Sequence, residues 1–111
     1  MSKVLDELAE LLKLRKTASS KESYVASLHA QGINKILEKI GEEATETIIA
    51  AKEYEANADD SSRAVIHETA DLWFHTMVML SHLDLEPSKV LEELEKRFNI
   101  SGIEEKASRK N

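Results

Sequence analysis

The chain has 111 residues, of which 32% are charged and 41% hydrophobic, and its formal net charge is −6. This length suits a single domain over residues 1–111, and a chain this short often gains core by oligomerising. The acidic balance argues against nucleic-acid binding, which depends on basic surface. The absence of cysteine excludes disulfides and thiolate metal sites.

Apolar residues recur at helical spacing in five segments, and no segment shows the alternation of a strand. The predicted helices are residues 4–14, 24–29, 33–56, 63–83 and 87–98. Ser23 is placed to cap the second helix, Pro87 suits the first turn of the fifth, and Asp60 or Ser61 can cap the fourth. The centre of the fourth, LWFHTMVML, is apolar all round, which predicts a buried central helix. The pattern as a whole predicts an all-α helical bundle.

The first residues, MSKVLDELAELL, carry acids within an apolar stretch, which is not typical of a secretory signal peptide. The sequence has no apolar run of 18 residues, so we expect no membrane span. These features together predict a cytoplasmic protein with no membrane or nucleic-acid partner.

Four acids stand out on the two long helices. Glu43 and Glu46 are three residues apart, as are Glu68 and Asp71, and this spacing places each pair on one helix face. Taken alone, Glu43 and Glu46, with the adjacent Glu42, fit a solvated face. Glu68 and Asp71 lie in an otherwise apolar helix, where acids are costly unless they are paired or bind metal. An antiparallel hairpin would join the pairs into an all-oxygen site suited to Mg²⁺ or Mn²⁺.

Other interpretations of these acids remain open. Lys39, Lys52 or Arg63 could neutralise the second pair in structural ion pairs. The protein could also be a non-catalytic helical dimer with all its acids solvated. A ferritin-like di-iron bundle is disfavoured, because such bundles usually carry two E-x-x-H motifs and this sequence has none.

Several motifs carry a resemblance to a known family. The pattern K-x-G-E-E-x-x-E at residues 39–46, followed by E-x-x-D at 68–71, resembles the all-α nucleoside triphosphate pyrophosphatases, which include MazG-like enzymes and dimeric dUTPases. SYVASL at 23–28, AAK at 50–52, DLWFH at 71–75 and the R-x-x-x-S-G-x-x-E-K-x-x-R pattern from Arg97 to Arg109 are similar to phosphoribosyl-ATP pyrophosphatases. The departures are Val25 for the usual Thr and Trp73-Phe74 for the commoner Leu-Tyr.

This resemblance implies Mg²⁺-dependent hydrolysis of phosphoribosyl-ATP to phosphoribosyl-AMP and pyrophosphate, which is the second step of histidine biosynthesis. It also implies a homodimer whose helices form a shared core. The alternative is a house-cleaning pyrophosphatase of the MazG-like type that acts on (d)NTPs. The carboxylates alone do not separate these activities, but the motifs near the two ends of the chain favour the histidine pathway.

We assign candidate roles on this basis. The expected Mg²⁺ ligands, with Mn²⁺ as a possible substitute, are Glu43, Glu46, Glu68 and Asp71. Glu42 is the candidate for positioning the attacking water or acting as the base, and Glu46 could exchange roles with it. His75 could orient these carboxylates by a hydrogen bond without binding the metal itself, although a hydrogen bond to some other neighbour is the simpler alternative.

Basic residues are candidates to bind the phosphates of the substrate. They are Arg15, Lys39, Lys52, Arg97, Lys106 and Arg109. Lys39 and Lys52 fit helix-face salt bridges equally well, and Lys106 and Arg109 could instead belong to a solvated terminus. Tyr24 could border the base, but packing in the core is the favoured interpretation for that ring.

Overall fold

A computed structural model describes residues 3–21, 23–57 and 62–98 of the chain. Those residues form five helices and no strand: α1 (Lys3–Arg15), α2 (Tyr24–Gln31), α3 (Ile33–Ala56), α4 (Arg63–His82) and α5 (Pro87–Phe98). The prediction of an all-α chain is confirmed, and most helix ends lie within one or two residues of the predicted ones. In the described ranges, no helix is both long enough and apolar enough to cross a membrane.

The start of α2 and the junction between α2 and α3 depend on two residues with special backbone roles. Ser23 has extended backbone angles, and its Oγ accepts a hydrogen bond from the Ala26 N–H at 3.2 Å, as the predicted N-cap requires. Gly32 has φ +97°, a conformation that residues with a Cβ rarely adopt, and its N–H donates to the carbonyl of Leu28. The chain can therefore end α2 at Gln31 and begin α3 at Ile33, with Gly32 as the single residue between them. The predicted cap at Asp60 or Ser61 lies outside the described residues.

Helices α3 and α4 make the most extensive helix–helix contact in the described chain. Thr47 lies against Glu68, and Glu43 lies near Asp71, so residue numbers fall along one helix as they rise along the other. The two long helices are therefore antiparallel, and the predicted meeting of their acidic faces occurs.

The hydrophobic core lies where α1, α2, α3 and α4 converge. Leu12, Leu28, Ile36 and Val78 are its most deeply buried side chains, and Val25 and Met77 complete the buried cluster. Helix α5 packs against α1 and α4 but contributes no buried residue. The core therefore fixes α3 against α4 at Ile36 and Val78, and the two helices stay in contact as far as Thr47 and Glu68.

Helix α4 is less buried than its composition predicts. His75, Met77 and Val78 are buried, but Ile66 is 66% exposed and Trp73 is 63% exposed. The prediction of a helix buried on all sides is therefore wrong for the single chain. The reason is the small number of elements: the neighbouring helices cover one side of α4 and leave large apolar side chains on the other.

Candidate metal centre and active site

The two acidic pairs predicted from the sequence come together between α3 and α4. Carboxylate oxygens of Glu43, Glu46 and Glu68 lie within 4.8 Å of one another, and a second group of ligand atoms at the same spacing comprises His67, Glu68 and Asp71. Glu68 belongs to both groups, so it links them. We call Glu43, Glu46, Glu68 and Asp71 the carboxylate cluster.

Burial differs strongly among the four acids, and not as the sequence predicts. Glu43 is only 6% exposed, whereas Glu46 is exposed and Glu68 and Asp71 are half-buried. The expectation that Glu43 fits a solvated face is therefore wrong. Its position at the edge of the apolar stripe of α3 turns it toward α4, and the contact between the helices then covers it.

The electrostatics of the cluster favour binding of a cation. Burial raises the pKa of the Glu43 carboxyl above its ordinary value, and repulsion from Glu46 and Asp71 raises it further. Burial also raises the pKa of Glu68, together with a hydrogen bond shared with the Glu46 carboxyl and the charge of that group. A divalent cation would relieve the repulsion that disfavours the charged forms of these acids.

Two buried oxygen atoms of the cluster have no hydrogen-bond partner among the described residues. They are Oε1 of Glu43 and Oε1 of Glu68. Buried acceptors in a folded protein are normally satisfied, so two orphaned carboxylate oxygens in one place require an explanation. A hard cation with oxygen ligands fits them, and Mg²⁺ or Mn²⁺ suits a site of carboxylates without sulfur.

His75 joins the cluster to α2 through a chain of hydrogen bonds. Its Nδ1 lies 2.8 Å from the backbone carbonyl of Asp71, and its Nε2 lies 2.8 Å from the hydroxyl of Tyr24. A carbonyl only accepts, so Nδ1 is assigned the proton, and in the neutral ring Nε2 accepts from Tyr24. His75 therefore supports the backbone of Asp71 and not its carboxylate. The tyrosine ring is 52% exposed and stacks near Phe74, so the expectation that it packs in the core is wrong.

Lys39 is the candidate phosphate ligand that the structure places beside the cluster. Its Nζ lies 3.1 Å from Oε1 of Glu42 and 3.9 Å from Oε2 of Glu43. Glu42 itself is exposed, and it is adjacent in sequence to Glu43 but outside the groups of converging ligand atoms. The pair of Lys39 and Glu42 thus lies at the rim of the site.

Of the remaining basic candidates, two pair with acids of their own helix, one is exposed at a helix end, and two lie outside the described residues. Lys52 pairs with Glu55 at 3.1 Å on an exposed stretch of α3, and Arg97 pairs with Glu93 at 2.9 Å on α5. Arg15 is the exposed last residue of α1. Lys106 and Arg109 fall outside the described residues, so their predicted role stays a prediction.

Sequence reasoning missed two residues of the site. His67 Nε2 lies 3.3 Å from Oδ2 of Asp71, and Thr47 contacts both long helices at the level of the cluster. The i, i+4 spacing of His67 and Asp71 is a signal that could have revealed the first. No sequence signal distinguishes Thr47 from other helical threonines, because its cross-helix contact depends on the packing of α3 against α4.

Comparison with models of known protein families gives a match over most of the chain. The model of the phosphoribosyl-ATP pyrophosphohydrolase family matches residues 5–98. The chain belongs to this family. It is therefore a hydrolase of the phosphoribosyl-ATP diphosphatase type, which acts in histidine biosynthesis. The region matched by the phosphoribosyl-ATP pyrophosphohydrolase model contains the whole carboxylate cluster, Glu42 and Lys39.

Proposed function

We propose that the chain hydrolyses phosphoribosyl-ATP to phosphoribosyl-AMP and pyrophosphate with Mg²⁺ held by the carboxylate cluster. The main support for the metal site is the pair of buried oxygens on Glu43 and Glu68 that have no hydrogen-bond partner among the described residues. Carboxylate oxygens of both residues lie within 4.8 Å of one on Glu46. When bound there, Mg²⁺ supplies neutralisation of phosphate charge and orientation of the in-line displacement. Mn²⁺ has the same preference for oxygen ligands and would substitute.

The chain's own residues have distinct roles in this proposal. Glu42 at the rim orients a water for attack on phosphorus and receives its proton, while the anhydride P–O bond breaks and pyrophosphate leaves. Lys39 keeps Glu42 in place through the 3.1 Å contact and faces the phosphates of the substrate. Glu46 is exposed and its carboxylate lies within 4.8 Å of that of Glu68, so it is the second candidate for the base.

We further propose that the protein acts as a homodimer in the cytoplasm. Large apolar side chains are exposed on α3 and α4, among them Ile48, Ile66 and Trp73. Trp73 also lines an apolar cavity of about 220 Å³ between α1, α4 and α5. A second copy of the chain would bury these side chains and add to the core, as the resemblance implies.

The oligomeric state can be measured by sedimentation at micromolar concentration. We expect twice the 12.5 kDa mass of the chain, and we expect Ile66→Asp or Trp73→Asp to shift the protein toward the monomer. A monomeric wild-type protein would contradict the dimer.

The activity is tested by measuring pyrophosphate release from phosphoribosyl-ATP and from a panel of dNTPs, in EDTA and with Mg²⁺. We expect release from phosphoribosyl-ATP that requires Mg²⁺ and falls by at least about 100-fold in Glu43→Gln or Asp71→Asn, in line with the loss of metal ligands. Glu53→Gln, on an exposed position of α3, is the matched control. Full activity in EDTA would remove the metal from the account, and a preference for dNTPs would favour the house-cleaning alternative.

A further inference from the structure

Thr47 makes a contact between the two helices that carry the carboxylate cluster. Its Oγ1 lies 2.7 Å from the backbone carbonyl oxygen of Glu43 on α3 and 3.1 Å from that of Glu68 on α4. Both carbonyls belong to residues of the cluster, and the side chain is half-buried between the helices. One hydroxyl proton is thus shared between the backbones of two residues that face the same site.

The cross-helix half of this contact is not a general property of helical threonines. Thr69 and Thr76 on α4 each donate to the carbonyl four residues earlier, at 2.7 Å. Neither has a recorded bond to a second helix among the described residues. The bond from Thr47 to Glu43 is of this ordinary local type, so the approach to Glu68 is the feature that requires explanation.

We propose that Thr47 is a positioning residue that sets the separation of α3 and α4 at the carboxylate cluster, and so sets the affinity for Mg²⁺. This inference rests on the proposed metal site. The hydroxyl joins backbone atoms and touches no carboxylate, so it acts through the distance between the ligand pairs. Removing it leaves the ligands in place but frees the two helices to separate at this level.

The proposal predicts different effects of Thr47 on the binding of Mg²⁺ and of Ca²⁺. Mg²⁺ demands nearly ideal octahedral geometry with ligands at about 2.0–2.1 Å, whereas Ca²⁺ accepts irregular geometry at about 2.3–2.6 Å. A small change in helix separation should therefore weaken Mg²⁺ binding more than Ca²⁺ binding. A purely structural role of Thr47 would lower stability without changing the preference of the folded protein between the two ions.

The test is calorimetric titration of Mg²⁺ and of Ca²⁺ into wild type, Thr47→Val and Thr47→Ser. We expect Thr47→Val, which keeps the shape and removes the hydroxyl, to weaken Mg²⁺ binding about tenfold, the size seen for residues that orient metal ligands. Ca²⁺ binding should weaken clearly less than that. Thr47→Ser should restore wild-type affinity, and Thr69→Val, which removes only a local bond, should match wild type.

The outcomes separate this inference from the proposed metal site. Wild type that binds Mg²⁺, together with a folded Thr47→Val of equal affinity, would overturn the role of Thr47 alone. Wild type that binds no Mg²⁺ would overturn both. Equal losses for the two ions, or a serine variant as weak as the valine variant, would also contradict the proposal. If circular dichroism shows that Thr47→Val does not fold, Thr47→Ala replaces it in the titrations, and we expect the same changes in affinity.

Discussion

Replacing Glu43 by glutamine removes one negative charge from the carboxylate cluster and keeps the size of the side chain. Oxygens of Glu43 and Glu46 lie within 4.8 Å, and two unit charges at that distance repel by about 1 kcal/mol in water and about 3.5 kcal/mol at an effective dielectric constant of 20. Because Glu46 is exposed, the lower figure applies. Burial of Glu43 and repulsion from Asp71 favour the same change, whereas loss of the 3.9 Å contact with Lys39 opposes it. Glu43→Gln should therefore stabilise the metal-free protein by about 1 kcal/mol, or about 4 °C in Tm for a chain of this length.

With Mg²⁺ bound, wild type should instead be more stable than Glu43→Gln. A ligand present at 100 times its Kd stabilises the native state by about 2.7 kcal/mol, and the variant should gain much less because it lacks one ligand. Thermal unfolding in EDTA and in saturating Mg²⁺ measures both effects, with Glu53→Gln as the control for a general change in net charge. The reasoning is refuted if Glu43→Gln lowers Tm in EDTA, or if Mg²⁺ raises the Tm of wild type and of this variant equally.

Two further predictions concern the rest of the fold. Burial lowers the pKa of His29, and the nearby His82 and Lys16 lower it further. The unfolded chain therefore protonates this ring more readily than the folded one, and the contribution of His29 to stability should be lost as the pH drops below about 6.5. Urea titrations at pH 7 and pH 5 should show that His29→Leu reduces this loss, and an unchanged loss would contradict the assignment. Ile36 is fully buried, so Ile36→Ala should cost about 2–5 kcal/mol, whereas Leu14→Ala at a 71% exposed position should change the free energy of unfolding by less than about 0.5 kcal/mol.

The helices and their order follow from local rules that the sequence displays directly. The cap at Ser23, the break at Gly32 and the start at Pro87 act within one or two turns of the chain. The meeting of the two acidic pairs also follows, because antiparallel packing of α3 and α4 is the simple result of a short turn between two amphipathic helices. These features can be predicted without knowledge of tertiary contacts beyond that pairing.

The burial of individual site residues does not follow from local rules. The apolar composition of α4 indicates that Glu68 and Asp71 are the enclosed pair, yet Glu43 on α3 is the most buried of the four acids. Burial depends on what the facing helix covers, and α4 covers the edge of α3 while leaving Trp73 largely exposed on its own far side. The hydrogen bond between Tyr24 and His75 cannot be predicted from local rules either, because these residues are 51 positions apart.

The central claim is that the carboxylate cluster holds a divalent cation. The most direct measurement is anomalous scattering from crystals of the active protein grown with Mn²⁺ in place of Mg²⁺. We expect a manganese peak within coordination distance of Glu43, Glu46 and Glu68, with Asp71 on the α4 side of the same site. No peak at the cluster, or a peak elsewhere in a protein that is active with Mn²⁺, would contradict it.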